Sequence, residues 1–124
     1  MTDFNFSDWC ARHRRWSEDT FGPASERGPA GPIDHLRKEV EELAAAPTDL
    51  EEVADIIHLA WDAAWRAGHT FEDFAEMLTS KQRKNIGRKW PDWRKAPEGK
   101  AIEHVRPCSW CDEVHEGGPE RCTR

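Results

Sequence analysis

Two acidic pairs stand out in the middle of this chain: Glu39 with Glu42, and Glu52 with Asp55. Each pair is spaced i, i+3, which on a helix sets both carboxylates on one face, about 5–6 Å apart. Pro47 lies between the pairs and breaks the chain into two consecutive segments. Four carboxylates gathered on two neighbouring helices repel one another unless something neutralises them. Divalent cations do so, and hard cations such as Mg²⁺ prefer oxygen ligands. The quartet is therefore read as a metal site; the alternative is solvated surface charge, since single acidic pairs are common on exposed helix faces.

A second group complements the first. Lys81, Lys84, Asn85 and Arg88 recur at i, i+3, i+4 and i+7. They form one cationic, amide-bearing face suited to phosphate, with lysine as a point charge and arginine as a two-pronged grip. A basic last half of a helix is also favoured by the macrodipole alone. A third group is the tail pattern Cys108-x2-Cys111-x3-His115-x6-Cys122. Three cysteines and a histidine make a ligand set for structural Zn²⁺, against the alternative of a tail with reduced thiols. No glycine-rich phosphate loop, nucleophile elbow or Cys/His catalytic pair is present. The other five histidines, His13, His35, His58, His69 and His104, are scattered without a partner motif, and none is assigned to catalysis.

The elements that must position these groups read as helices. Phe6 to Thr20 forms the first, with Ser7 as N-cap and Phe6, Trp9, His13 and Trp16 as a stripe. The two tryptophans in it are assigned to core packing, with stacking on a base as the alternative that spacing alone does not indicate; Cys10 is assigned to the core. Phe21 to Pro32 holds three Gly and three Pro in twelve residues and is a loop, of a length that suits a lid or binding loop, with a disordered segment as the alternative. Gly31-Pro32 opens a second helix, with Ile33, Leu36, Val40 and Leu43 as its apolar stripe. A capping box at Thr48 to Glu51 starts the third at once, so helices two and three are antiparallel neighbours. Helix three is apolar over well over half its circumference, through Val53, Ile56, Ile57, Ala60, Trp61, Ala64 and Trp65. That excess points to contact with another subunit. Asp62 lies near the line of Asp55, as an outer group of the metal site or an exposed one. Gly68 closes helix three, and Thr70 caps a fourth helix that ends at Gly87 and Trp90-Pro91.

Bulk properties narrow the classes. A chain of 124 residues fits one domain. With 24 Asp+Glu against 18 Lys+Arg, the net charge is -6, which argues against a nucleic-acid coat. No window approaches the roughly 20 apolar residues of a membrane span, and the N-terminus lacks a signal-peptide layout. A cytoplasmic location is expected, with the four cysteines reduced or metal-bound.

The conjunction of these motifs resembles a known family. Glu39-x-x-Glu42, Glu52-x-x-Asp55 and Lys81-x-x-Lys84-Asn85-x-x-Arg88-x-Trp90-Pro91 resemble the MazG-like all-α nucleotide pyrophosphohydrolases. Thr20 to Pro23, Asp34 to Glu39, Asp49 to Glu52, Gly68-His69 and Ala101 to Arg106 are similar to the phage dATP/dGTP diphosphohydrolases, including the MazZ group. The likeness covers about residues 9 to 106; the nine residues between Glu42 and Glu52 make a shorter hairpin than the broader family has. It implies an all-α, MazG-like four-helix bundle over residues 1–106; it does not reach the short irregular tail at 107–124, whose reading as a small zinc element rests on the Cys/His pattern alone. It implies hydrolysis of a purine deoxynucleoside triphosphate, dGTP or dATP, to monophosphate and pyrophosphate with Mg²⁺ or Mn²⁺. Glu39, Glu42, Glu52 and Asp55 would ligate the metals and carry catalysis. Lys81, Lys84, Asn85, Arg88 and Trp90 would bind substrate, and the loop at Phe21, Gly22 and Pro23 would cover the purine. A homo-dimer or homo-tetramer is expected, in a host cytoplasm if the chain is phage-encoded. By analogy with the MazZ branch, the dGMP product would feed 2-aminoadenine nucleotide synthesis. The alternatives are a house-cleaning pyrophosphatase of another base preference and a non-catalytic, zinc-bearing adaptor.

Overall fold

The computed structural model describes residues 3–105, and among these it holds four α-helices and no strand. Helix α1 spans Phe6–Phe21, α2 Ala30–Ala45, α3 Leu50–Arg66 and α4 Phe71–Gly87; a single 3-10 turn follows at Trp93–Lys95. The all-α expectation therefore holds. The caps differ from it in detail. Asn5, not Ser7, caps α1, its side chain accepting from the Asp8 N–H at 3.0 Å. Asp49 rather than Thr48 caps α3, accepting from the Glu51 N–H at 3.0 Å. Both replacements follow from reach: the residue with extended backbone just before the first helical turn is the one whose side chain meets the free N–H groups. Thr70 caps α4 as expected, through Asp73 N–H at 3.1 Å.

The joint between α2 and α3 is tight, closed by Asp49 N–H on the Ala46 carbonyl at 3.0 Å, so the two helices run antiparallel against each other. Helix α1 packs across α3. Gly22 ends α1 with φ 100°, a left-handed value that favours glycine, and its N–H reaches the Glu18 carbonyl. Gly68 plays the same part after α3, at φ 101°.

The core is small and aromatic. Cys10, Trp61 and Trp65 are fully buried, with Phe6, Trp9, Ala24, Ala64, Phe71 and Phe74 packed around them. Trp61 meets Phe74 at 5.0 Å between centroids, and its indole N–H donates to the Cys10 carbonyl at 2.9 Å. Cys10 is a core residue as expected, and burial pushes its thiol up to about 11. The stripes of α2 and α3 are less covered than a bundle core: Val40 and Ile57 are each half exposed, and Ile33 and Val53 are also open. The chain divides into two compact units, Met1–Leu78 and a second beginning at Thr79. No helix among the described residues is long and apolar enough to cross a membrane.

Candidate active site

Packing α2 antiparallel to α3 sets Glu39 opposite Glu52 and Asp55. One carboxylate oxygen from each of these three lies within 4.8 Å of the others. Glu39 is buried, while Glu52 and Asp55 are half-buried. His35, one turn before Glu39, donates from Nε2 to Glu39 Oε1 at 3.0 Å. The other oxygen, Glu39 Oε2, and Glu52 Oε2 are buried and find no hydrogen-bond donor. Buried polar atoms in folded proteins are nearly always paired, so two orphans in one cluster mark a place prepared for a ligand.

The electrostatics agree. Contact with the Glu42 carboxyl, then burial and the charges of Glu42 and Asp55, raise the Glu39 pKa, with His35 opposing. Burial first, then Glu42 and Glu39, push Glu52 up to about 7. Glu39 and Glu52 resist ionisation because burial and neighbouring carboxyls disfavour their charged forms. Oxygen donors at this spacing fit Mg²⁺ or Mn²⁺, which would neutralise them. Glu42 is exposed and lies outside the group of three close oxygens, yet its carboxyl contacts Glu39 and Glu52 and its charge bears on both.

Glu39 and Asp55 also sit at the edge of a cavity of about 540 Å³ between α1, α2 and α3. Trp9, His13, Trp16 and Phe21 from α1 form its aromatic wall, and His35, His58 and Leu59 line the other sides. Trp9 stacks on His13 at 5.7 Å, and Trp16 meets Phe21 edge-on at 5.5 Å. The assignment to core packing holds for Trp9, which packs against the core and also lines the cavity, and is corrected for Trp16, which is 54% exposed and faces the cavity. Exposed Arg12, Arg14 and Arg15 surround the Trp16 end of the stripe, a polar setting that was the available signal. Phe21, expected to begin the loop, is the last residue of α1 and lines the cavity.

Asp62 closes the far end. It is neither exposed nor part of the metal cluster, but the centre of a buried network. Its Oδ1 accepts from Trp65 Nε1 at 2.9 Å and faces His13 Nε2 at 3.1 Å; its Oδ2 accepts from Arg66 Nε at 3.2 Å. Burial raises its pKa, but hydrogen bonds from His13, Ser17 and Trp65 and the Arg66 charge outweigh that and bring it down to about 2. The buried Arg66 guanidinium also donates to the carbonyls of Ser17, Gly22 and Arg27 and to Ser17 Oγ, at 2.8–3.1 Å. Gly22 therefore acts through its carbonyl, as an anchor of the loop. His13 and His58, scattered in sequence, meet at 3.2 Å between their Nδ1 atoms. Their partners lie more than forty residues apart, which no local spacing could announce.

The cationic face belongs to the second unit. Lys81 and Lys84 are exposed, and Asn85 Oδ1 accepts from Arg88 Nη1 at 3.0 Å. Trp90 turns its indole N–H to the Asn85 carbonyl and its ring edge to His104 at 5.8 Å. Cys108, Cys111, His115 and Cys122 lie outside the described residues.

The chain is similar to known phage proteins. The MazG-like pyrophosphohydrolase of cyanophage S-2L, solved bound to dGDP and three catalytic Mn²⁺ ions per active site, superposes with a TM-score of 0.63 at 28% identity, over 83% of this chain and 99% of that one. The Eaa protein of Salmonella phage P22 is 42% identical over 110 residues, which is 89% of this chain and 31% of the relative. The chain thus spans about a third of that relative's length. Its fold is MazG-like, and with residues 9–108 matching the family model, the chain belongs to the dATP/dGTP pyrophosphohydrolase family.

Proposed function

We propose that this chain hydrolyses a purine deoxynucleoside triphosphate, dGTP or dATP, to the monophosphate and pyrophosphate. The observation that carries this is the pair of donorless buried oxygens, Glu39 Oε2 and Glu52 Oε2, beside an aromatic cavity large enough for a nucleoside. Glu39, Glu52 and Asp55 would hold Mg²⁺ or Mn²⁺, with Glu42 at the exposed side of the cluster. Bound there, the ions would lower the pKa of a coordinated water and neutralise charge developing on phosphoryl oxygens.

The residues of the chain itself do the rest. His35 holds Glu39 in place through its 3.0 Å hydrogen bond. Trp9, Trp16 and Phe21 offer flat faces on which a purine stacks, and the apolar wall keeps water from the base. Arg66 ties the loop after Phe21 to α1 and α3, so the covering segment is fixed before substrate arrives. Lys81, Lys84, Asn85 and Arg88 bind the triphosphate in this reading, on charge and on the family resemblance, and Trp90 supports the end of that face through Asn85.

A second copy of the chain covers the open apolar residues of α2 and α3, among them Val40, Val53 and Ile57. The protein acts in a phage-infected host, where its dGMP would supply 2-aminoadenine nucleotide synthesis. Pyrophosphate release from the four dNTPs, with Mg²⁺, with Mn²⁺ and with chelator, tests the core of this reading. Purine triphosphates should be hydrolysed only with metal; equal rates in chelator, or no hydrolysis of any dNTP, would end it.

A further inference from the structure

Asp62, His13 and His58 form a chain along the cavity wall that neither the metal cluster nor the stacking faces use. The Arg66 guanidinium lies 3.2 Å from Asp62 Oδ2 and keeps the carboxylate ionised, so Asp62 offers lone pairs only. His13 Nε2, 3.1 Å from Oδ1, must therefore carry a hydrogen. In neutral His13 this leaves Nδ1 as a bare lone pair. His58 Nδ1 sits 3.2 Å from that lone pair, and two bare nitrogens would repel, so the hydrogen lies on His58 Nδ1. Neutral His58 then has its lone pair on Nε2. Trp9 secures the order of the two rings, parallel to His13 at 5.7 Å and edge-on to His58 at 4.8 Å. His58 lines the cavity together with Asp55 and Trp16, and among the described residues no group donates to its Nε2.

We propose that His58 Nε2 is a preset hydrogen-bond acceptor for an N–H or O–H on the nucleoside part of the substrate, with Asp62 fixing its tautomer through His13. The inference rests on the nucleotide reading of this cavity and deepens it. A purine deoxynucleoside offers two sources of such a donor: the sugar 3′-hydroxyl and the N–H groups on the base edge. Asp62 is a positioning residue here, acting through His13, and only His58 touches substrate.

Two measurements test this. Nitrogen-15 NMR of the histidine rings in the full chain should find His58 with hydrogen on Nδ1 and His13 with hydrogen on Nε2; hydrogen on His58 Nε2 in neutral protein overturns the proposal. The kinetic arm compares wild type with His58→Phe, which keeps a flat ring against Trp9. Substrates are dGTP, its 2′,3′-dideoxy analogue without the sugar hydroxyl, and the triphosphate of unsubstituted purine deoxyriboside, which has no N–H on the base. Wild type should lose about three- to tenfold in kcat/KM on one analogue, the worth of one neutral hydrogen bond. His58→Phe should show no such penalty, and the analogue concerned names the donor. Equal penalties in both proteins overturn the proposal. A wild type that hydrolyses no deoxynucleotide defeats the nucleotide reading instead, and the NMR result separates the two failures. It also stands alone should His58→Phe not fold.

Discussion

Helix α3 carries two acidic regions ten positions apart, at Glu52 and at Asp62, and the fold furnishes them in opposite ways. Asp62 receives Trp65, Arg66 and His13 within 3.2 Å, and both of its oxygens are occupied. Glu52 receives other carboxylates: one of its oxygens is buried without a donor, and Glu39 and Asp55 stand within 4.8 Å. The result is a carboxyl held down at about 2 in one place and one pushed up to about 7 in the other. The same side-chain chemistry on one helix thus serves two ends. Where a carboxylate is structural, the protein supplies the donors; where it is left among its own kind, the missing positive charge has to come from outside.

The contrast predicts what each region loses when it is broken. Neutralising the open cluster should abolish activity and spare the fold. Glu39→Gln or Asp55→Asn should lower metal-dependent pyrophosphate release about a thousandfold, with an unchanged helical circular dichroism spectrum. Retained turnover in either variant would contradict the division. Breaking the satisfied network should do the reverse. Arg66→Ala strips Asp62 of its counter-charge and leaves three carbonyls without a donor; chemical denaturation should show a loss of about 3–5 kcal/mol, as for other severed buried pairs. An unaltered midpoint would mean that water replaces the guanidinium. The cavity between them gives a smaller, separable effect. Trp16→Ala, at a half-exposed position, should raise KM about tenfold through lost base stacking, with little change in kcat or stability.

The same contrast explains what could be read from sequence. Helical spacing brought out the acidic pairs because each lies within one turn, and Pro47 together with the cap after it placed them on antiparallel neighbours. The Asp62 network escaped because its members, His13, Ser17, Gly22, Arg27 and Arg66, come from three separate segments and share no period. Trp9 and Trp16 stayed ambiguous for another reason. An aromatic stripe looks alike whether a helix or a ligand covers it, and only the gap between α1 and α2 decides that. Glu42 shows the converse: its i, i+3 spacing to Glu39 is sound, yet it lies on the exposed flank, so spacing fixed its helix face and not its depth.

Stability against pH should divide the two carboxylates most gently and most cleanly, because their shifts have opposite signs. Asp62 is depressed in the folded protein, so the stability it contributes is present above its unfolded value near 3.8 and is lost as pH falls towards about 2. Glu52 is raised, so the folded state binds more protons than the unfolded one between 4.5 and about 7. Its contribution is full below 4.5 and disappears as pH climbs through 7. Metal-free protein should therefore melt at a lower temperature at pH 8 than at pH 5, by a few degrees for a chain of this size. Glu52→Gln should flatten that slope and leave the acid limb untouched, while Asp62→Asn should do the opposite. Saturating Mg²⁺ or Mn²⁺ should also flatten the slope above pH 5, since a cation binds the ionised cluster and takes over the work of the protons. A slope that persists unchanged in Glu52→Gln would place the excess protons elsewhere and remove the electrostatic case for an open site.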